Sequence, residues 1–218
     1  MKTIKVVLAD DHQIVRDGLR SLFEKQADIS VIAEASDGRE AVDLVTKLSP
    51  DIVIMDVNLP GLNGIAATTE LRKRSPGTKI IALSMRCDKQ VIGDMLRAGA
   101  SGYLPKDVAF RELAVAIRTV VEGRTYLSPE AAELVVEGFV RRNPSDTGTA
   151  ASLLTSKEKQ VLQLVAEGKS NKMIASIMGV GIKTVDTHRQ HLMARLNLHS
   201  VAELTKYAIR EGITSVEE

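Results

Sequence analysis

Four places in this chain carry side chains that together could do phosphoryl chemistry: Asp10-Asp11, Asp56, Ser84 and Lys106. Each stands at the end of an apolar, strand-like run, or directly after one. An aspartate is a competent covalent nucleophile toward phosphorus, and positioning plus charge neutralisation is most of what such a transfer needs. Asp56 closes the run Ile52-Val53-Ile54-Met55 and is followed at once by the turn Leu59-Pro60-Gly61, which makes it the candidate acceptor. Asp10, Asp11 and Asp56 would repel one another when crowded, so a cation is needed to keep them ionised. An all-oxygen ligand set completed by water favours Mg²⁺. Lys106 offers a point charge for a phosphoryl oxygen and Ser84 a small hydroxyl donor. Taken singly, each has an ordinary explanation: a solvated loop, a satisfied core hydroxyl, a surface lysine. Their joint placement at four strand ends is the signal.

Strands and helices must alternate to bring these ends together. The apolar patterning predicts strands at Ile4–Ala9, Ile29–Ala35, Ile52–Asp56, Lys79–Ser84 and Gly102–Pro105. Helical spacing fits Val15–Phe23, a segment capped by Asp37 and running to Leu48, Gly64–Arg74, Lys89–Ala98 and Phe110–Glu122. Five alternating pairs imply a doubly wound parallel sheet, with every loop after a strand opening on one rim. Pro105, lacking a ladder donor, suits an edge position for the fifth strand. Ser128-Pro129-Glu130 then starts a further helix to about Arg142, and the polar, unpatterned stretch from Asn143 to Ser152 reads as a linker. Beyond it lie four short helices and no strand. The expected division is residues 1–124, a linking segment 125–152 with one helix, and residues 153–218.

Composition sets few further bounds. The chain has 218 residues, a formal net charge of +1 and 44% hydrophobic residues, ordinary for a globular protein of one or two domains. No apolar run approaches membrane-span length and the N-terminus is not a signal peptide, so no membrane association is expected. The single cysteine, Cys87, fits a reducing, cytoplasmic setting.

The C-terminal helices carry a second candidate site. Thr155 to Glu158 and Ser200 to Glu203 have capping-box spacing, and Ser170 can cap the helix between them. Two short helices, a Gly179-Val180-Gly181 turn and a longer helix, Ile182–Leu196, have the outline of a helix-turn-helix. On the longer helix Val185, Leu192 and Leu196 form a core stripe with Arg189 as the odd member. Its other side presents Lys183, Asp186, Thr187 and Gln190, flanked by His188 and His191. Short polar groups there could reach base edges, while cationic ones meet phosphates. His188 and His191 have no third ligand nearby for a metal. In the last helix Val201, Leu204, Ala208 and Ile209 read as core.

Residues 4–122 resemble the receiver domain of two-component response regulators, through Asp10-Asp11, Met55-Asp56, Leu59-Pro60-Gly61, Gly64, Ser84 and Gly102-Tyr103-Leu104-Pro105-Lys106. Leu154 to Gly212 resembles the LuxR-type DNA-binding module, through Leu154-Thr155, Glu158, Ala166-Glu167-Gly168, Ser170-Asn171-Lys172, Ile174-Ala175, Lys183-Thr184-Val185 and His188. The whole chain is thus similar to the NarL/FixJ response regulators. That resemblance implies a flavodoxin-like α/β receiver with a five-stranded parallel sheet, followed by a small all-α helix-turn-helix domain. It implies Asp56 as phosphoacceptor, and Asp10, Asp11, Asp56 and the Asn58 carbonyl around Mg²⁺, with Asp10 acting mainly through water. Ser84 and Tyr103 match a switch pair, in which the hydroxyl turns to the phosphoryl group and the ring moves inward. Tyr103 could otherwise be an aromatic packed on the last receiver helix. Lys172, Lys183, Thr184, Asp186, Thr187, His188, Gln190 and His191 would face DNA. The implied partners are a sensor histidine kinase, promoter DNA and a second copy of the chain when phosphorylated or DNA-bound. Three positions depart from the pattern: Asp107 follows Lys106 where proline is frequent, Asp186 replaces a frequent lysine, and Gly181 stands where a serine cap is usual.

Two other classes fit less well. An aspartate-nucleophile phosphohydrolase would carry Asp-x-Asp after its first strand, whereas Asp56-Val57-Asn58 follows the third and lacks the second carboxylate. A lactone sensor is a poor match for a rim of carboxylates in a chain without tryptophan. The expectation is a regulator and not an enzyme.

Overall fold

A computed structural model describes residues 3–85, 87–140 and 154–214. It divides into two compact units, Met1–Arg142 and Asn143–Glu218. The stretch from Asn143 to Ser152, expected to be a linker, lies outside the described residues.

The first unit is one parallel sheet with helices on both faces. Its strands are β1 (Ile4–Ala9), β2 (Ile29–Ala35), β3 (Ile52–Asp56), β4 (Lys79–Ser84), β5 (Gly102–Pro105) and β6 (Tyr126–Leu127), in the order β2-β1-β3-β4-β5-β6. The helices are α1 (Gln13–Glu24), α2 (Gly38–Leu48), α3 (Gly64–Arg74), α4 (Lys89–Ala98), α5 (Lys106–Val121) and α6 (Pro129–Val140). Strand alternation decides which helix each side chain meets. Val7, Val53, Met55, Ile80 and Ala82 point to a core shared with α2, α3 and α4. Val6, Leu8, Ile52, Ile54, Ile81 and Leu83 point to the other, with Leu19 and Phe23 of α1 and Leu113, Ile117 and Val120 of α5. All five residues of β3 are buried, as a strand covered on both faces requires.

The expected sheet of five strands has a sixth. β6 runs parallel to β5 with Gly102 opposite Tyr126 and Tyr103 opposite Leu127. A two-residue strand is too short to leave a periodic signal. β5 is therefore not the edge, although Pro105 lies beyond the stretch that β6 pairs, so its missing N–H costs no ladder bond. Ser128, fully buried, donates its N–H to the Tyr103 carbonyl at 3.1 Å and accepts from Ala131 N–H at 3.2 Å, capping α6. Ala131, Leu134 and Val135 then pack into the core beside α4. Helix α5 begins at Lys106, four residues before the expected Phe110. Pro105 supplies an extended N-cap backbone (φ −64°, ψ 146°) and Asp107 places an acid in the first turn.

The second unit contains α7 (Ser156–Ala166), α8 (Asn171–Met178), α9 (Ile182–Leu196) and α10 (Val201–Arg210). Both expected capping boxes form, on Thr155/Glu158 and on Ser200/Glu203. Val161, Leu162, Ile174, Val185, Leu192, Leu204 and Ala208 make one core. Val201, expected in it, is 47% exposed. It is the first residue of α10 and lies past the packed stripe, while Tyr207 takes a buried place. Among the described residues, no helix is long and apolar enough to cross a membrane.

Candidate functional site

The sheet order places β1 and β3 side by side, with Ala9 opposite Met55, so the residues that follow, Asp10 and Asp56, meet at the rim. Successive strands are added on one side of β1 (β2) and then on the other (β3 onward), so the strand order switches at this point, where open α/β sheets have their crevice. Asp56 closes β3 and is buried. Gly64 lets α3 start against it: a Cβ there would lie 2.1 Å from the Asp56 carbonyl oxygen. Asn63 caps α3 through its side chain, accepting from Ala66 N–H at 2.9 Å. Gly61 takes the left-handed backbone (φ 71°) that the turn between them needs.

Lys106 binds the rim together. Its Nζ donates to Asp56 Oδ2 at 2.8 Å and lies 2.7 Å from Asp10 Oδ2, with all three side chains buried. Burial pushes the Asp56 carboxyl above its ordinary range; the Lys106 charge opposes this, and Asp10 adds to it. Burial alone would lower the Lys106 ammonium, but the Asp56 and Asp10 carboxylates outweigh it and leave it raised. The lysine therefore stays charged and serves two carboxylates at once.

Asp10, Asp11, His12 and Asp56 each offer a ligand atom, and these atoms lie within 4.8 Å of one another. Asp10 Oδ2 lies against Lys106 Nζ at 2.7 Å and Asp11 Oδ1 against His12 Nδ1 at 2.8 Å. Three carboxylates that bring their oxygens this close form an all-oxygen donor set suited to a divalent cation, so the residues present fit Mg²⁺. Asn58, the remaining expected ligand residue, donates its N–H to Asp56 Oδ1 at 3.3 Å.

Ser84 ends β4 and is buried. Its side chain is hydrogen-bonded to the Tyr103 hydroxyl, whose pKa is raised chiefly by burial. The Tyr103 ring is fully buried on the α2–α3–α4 side, not on α5, so the alternative packing on the last receiver helix does not occur. Of the two ring positions the resemblance implies, the structure has the inward one. Asp10, Asp11, Asp56, Ser84 and Lys106 thus lie at one end of the sheet, where four strand ends place them, and Asn58 and Tyr103, which only the resemblance added, stand beside Asp56 and Ser84.

Two neighbours escaped the sequence reading. His12 places Nδ1 at 2.8 Å from Asp11 Oδ1 and 3.2 Å from Asp10 Oδ1, while its N–H donates to Asp10 Oδ1 at 2.9 Å. Arg16, on α1, donates to the Asp10 carbonyl and to Glu34 of β2. His12 gave no hint beyond its place after two aspartates, and Arg16 has the spacing of any surface arginine on an amphipathic helix.

In the second unit Lys183, Thr184, Asp186, Thr187, Gln190 and His191 are exposed on α9, His188 is half-buried, and Lys172 is exposed on the first turn of α8. Thr187 Oγ1 donates back to the Lys183 carbonyl at 3.0 Å. Gly181 is the N-cap of α9 and supplies no side-chain bond. Arg189, the odd member of the core stripe, donates to Asn171 Oδ1 at 2.6 Å. Arg195, missed from sequence, donates to the buried Glu158 at 3.1 Å and ties α9 to α7.

Comparison with known proteins bears on both units. Residues 6–118 match the response regulator receiver domain family, and residues 152–208 match the luxR family of bacterial regulatory proteins. Among similar proteins is the oxygen regulatory protein NreC of Staphylococcus epidermidis, 38% identical over 215 residues that cover 96% of this chain and 99% of that protein. A Salmonella typhimurium RcsB response regulator, whose structure is described in terms of conformational dynamism for DNA interaction, is similar with a TM-score of 0.69. It is 26% identical, and the match covers 98% of this chain and all of that one. Two RcsB dimers bound to two parallel DNAs give a TM-score of 0.59 at 25% identity over 94% of this chain and 98% of the other.

Proposed function

Since the chain belongs to the two-component response regulators that join a receiver domain to a LuxR-type helix-turn-helix, and so is a phosphorylation-dependent transcriptional regulator, we propose the following roles for its residues. Asp56 is the phosphoacceptor. One carboxylate oxygen attacks the phosphorus of a phosphohistidine on a sensor kinase; the P–O bond forms, the P–N bond breaks, and the imidazole leaves with the electron pair. The observation that carries this reading is the buried Asp10–Lys106–Asp56 arrangement at the ends of β1, β3 and β5.

Asp10, Asp11, Asp56 and the Asn58 carbonyl would hold Mg²⁺, which supplies charge neutralisation for the incoming phosphoryl oxygens. Lys106 gives those oxygens a second cation, and Ser84 a hydroxyl donor. Recruiting Ser84 draws it from Tyr103, so the pair converts phosphorylation into a change at β5. Residues 1–124 receive the signal, 125–152 link, and 153–218 bind promoter DNA through Lys172, Lys183, Thr184, Asp186, Thr187, His188, Gln190 and His191. The DNA-bound form is a homodimer. We place the chain in the cytoplasm, as a regulator without a turnover reaction of its own.

The test treats the full chain with acetyl phosphate or beryllium fluoride and measures promoter affinity. Wild type should gain affinity and Asp56→Asn should not respond. Phosphorylation of Asp56→Asn to the wild-type extent, or equal responses of both proteins, would overturn the assignment.

A further inference from the structure

Asp186 is the departure that the recognition helix must accommodate. DNA is a dense polyanion, and a carboxylate on a face that approaches it is unfavourable unless a donor receives it. The structure holds this carboxylate in place. Asn171, at the start of α8, donates its side-chain amide to Asp186 Oδ1. The same amide accepts from Arg189 at 2.6 Å, so its oxygen faces the guanidinium and its nitrogen the carboxylate. Reversing the amide would set donor against donor and acceptor against acceptor, so one orientation is fixed at both ends. Among the described residues Asp186 makes this hydrogen bond and no ion pair, and it stays exposed with Oδ2 unengaged. No lysine or arginine among those residues forms an ion pair with it; the Arg189 guanidinium reaches it only through Asn171.

From this geometry we infer that Asp186 reads cytosine, accepting from the N4 amino group in the major groove. This rests on the proposed reading of α9 as the DNA-reading helix. Guanine presents N7 and O6 and thymine presents O4, all acceptors that repel a carboxylate. Adenine has the N6 donor, but its neighbour on the same base is the N7 acceptor, which would face the second carboxylate oxygen. Cytosine alone offers a donor with no acceptor beside it on its own base. Asn171 makes the choice sharper by restricting the rotamers from which Asp186 could turn away.

Selection from randomised duplexes by the full chain, with and without beryllium fluoride, tests this. Wild type should enrich cytosine at one position of each half-site, with roughly tenfold or greater discrimination. Asp186→Asn keeps an oxygen for Asn171 but adds an amide donor, which suits adenine N6 and N7 together; its preference at that position should move from cytosine to adenine. Asn171→Ala should blunt the cytosine preference without moving it. The same base selected by wild type and Asp186→Asn, or a uniform weakening at all sequences, would reduce Asp186 to a tie between helices and overturn the inference. A wild-type chain that selects no sequence would instead remove the DNA-reading role of α9 itself.

Discussion

Replacing Lys106 by methionine removes the charge and keeps most of the buried stem. The ammonium lies 2.7 Å from Asp10 and 2.8 Å from Asp56, and all three side chains are buried. Deleting one member of such a group strands the others, at about 3–5 kcal/mol. Protonation sets a ceiling on this cost: holding an aspartate of ordinary pKa neutral at pH 7 takes about 4 kcal/mol. Asp56 already sits above that ordinary value because it is buried, so relief comes more cheaply and about 3 kcal/mol is the expected loss. For a unit of this size that lowers the melting temperature by roughly 10 °C. The assay is thermal unfolding of the full chain followed by circular dichroism, in EDTA and in rising Mg²⁺, with Lys47→Met as a control at an exposed lysine. Mg²⁺ at a hundred times its dissociation constant contributes about 2.7 kcal/mol and should recover most of the loss. Melting of Lys106→Met within about 2 °C of wild type in EDTA would refute the view that this lysine neutralises the rim.

Gly64→Ala sets a Cβ against the Asp56 carbonyl oxygen, a backbone atom that no rotamer change can move away. It should cost about 3 kcal/mol and slow phosphorylation by acetyl phosphate, whereas normal phosphorylation at wild-type stability would show that α3 can back off freely. Burial raises the Glu158 pKa, but bonds from Thr155, with Arg195 and His188 nearby, outweigh this and leave it lowered. The folded second unit then binds fewer protons than the unfolded chain, so this stabilisation is present above about pH 4.5 and is lost as the pH falls through the lower folded value. Glu158→Gln should flatten that acid limb and lower stability by about 1–2 kcal/mol, and an unchanged acid limb would mean another carboxylate governs it. Ala131→Leu overfills the place where α6 meets the sheet and should raise hydrogen exchange at Tyr126 and Ser128, whose N–H groups bond to Ser101 and Tyr103; unchanged protection would mean that α6 docking does not hold β6.

The rim was legible because a parallel sheet turns sequence order into geometry. Once Asp11, Asp56, Ser84 and Lys106 are seen to terminate four apolar runs, handedness alone gathers them. The same logic could not find β6, since two residues carry no period, nor the packing of α6, whose buried face depends on Ser128 meeting Tyr103. It placed the start of α5 at Phe110 because apolar spacing begins late, whereas the backbone of Pro105 had already set the helix direction. Arg189 seemed anomalous and Arg195 ordinary for one reason: their partners, Asn171 and Glu158, lie on other helices and leave no trace in local spacing.

Tyr103 joins the rim to the added segment, and the energies show why such a residue can switch. Its hydroxyl bonds Ser84, and its carbonyl accepts from Ser128, the cap of α6. On the proposed assignment, a phosphoryl group brings a charge of about −2 to a rim where one lysine already serves two carboxylates. Ser84 is the neutral donor at hand, and turning it leaves the Tyr103 hydroxyl without that bond. An unpaired buried hydroxyl costs about 1–3 kcal/mol, close to the value of a charge-assisted bond gained at the phosphoryl group. Two nearly balanced terms make the ring's environment responsive to small changes in phosphoryl occupancy. Because β6 pairs with β5 at Tyr103 itself, a shift in that residue's main chain reaches Leu127 and Ser128 directly and moves the first turn of α6.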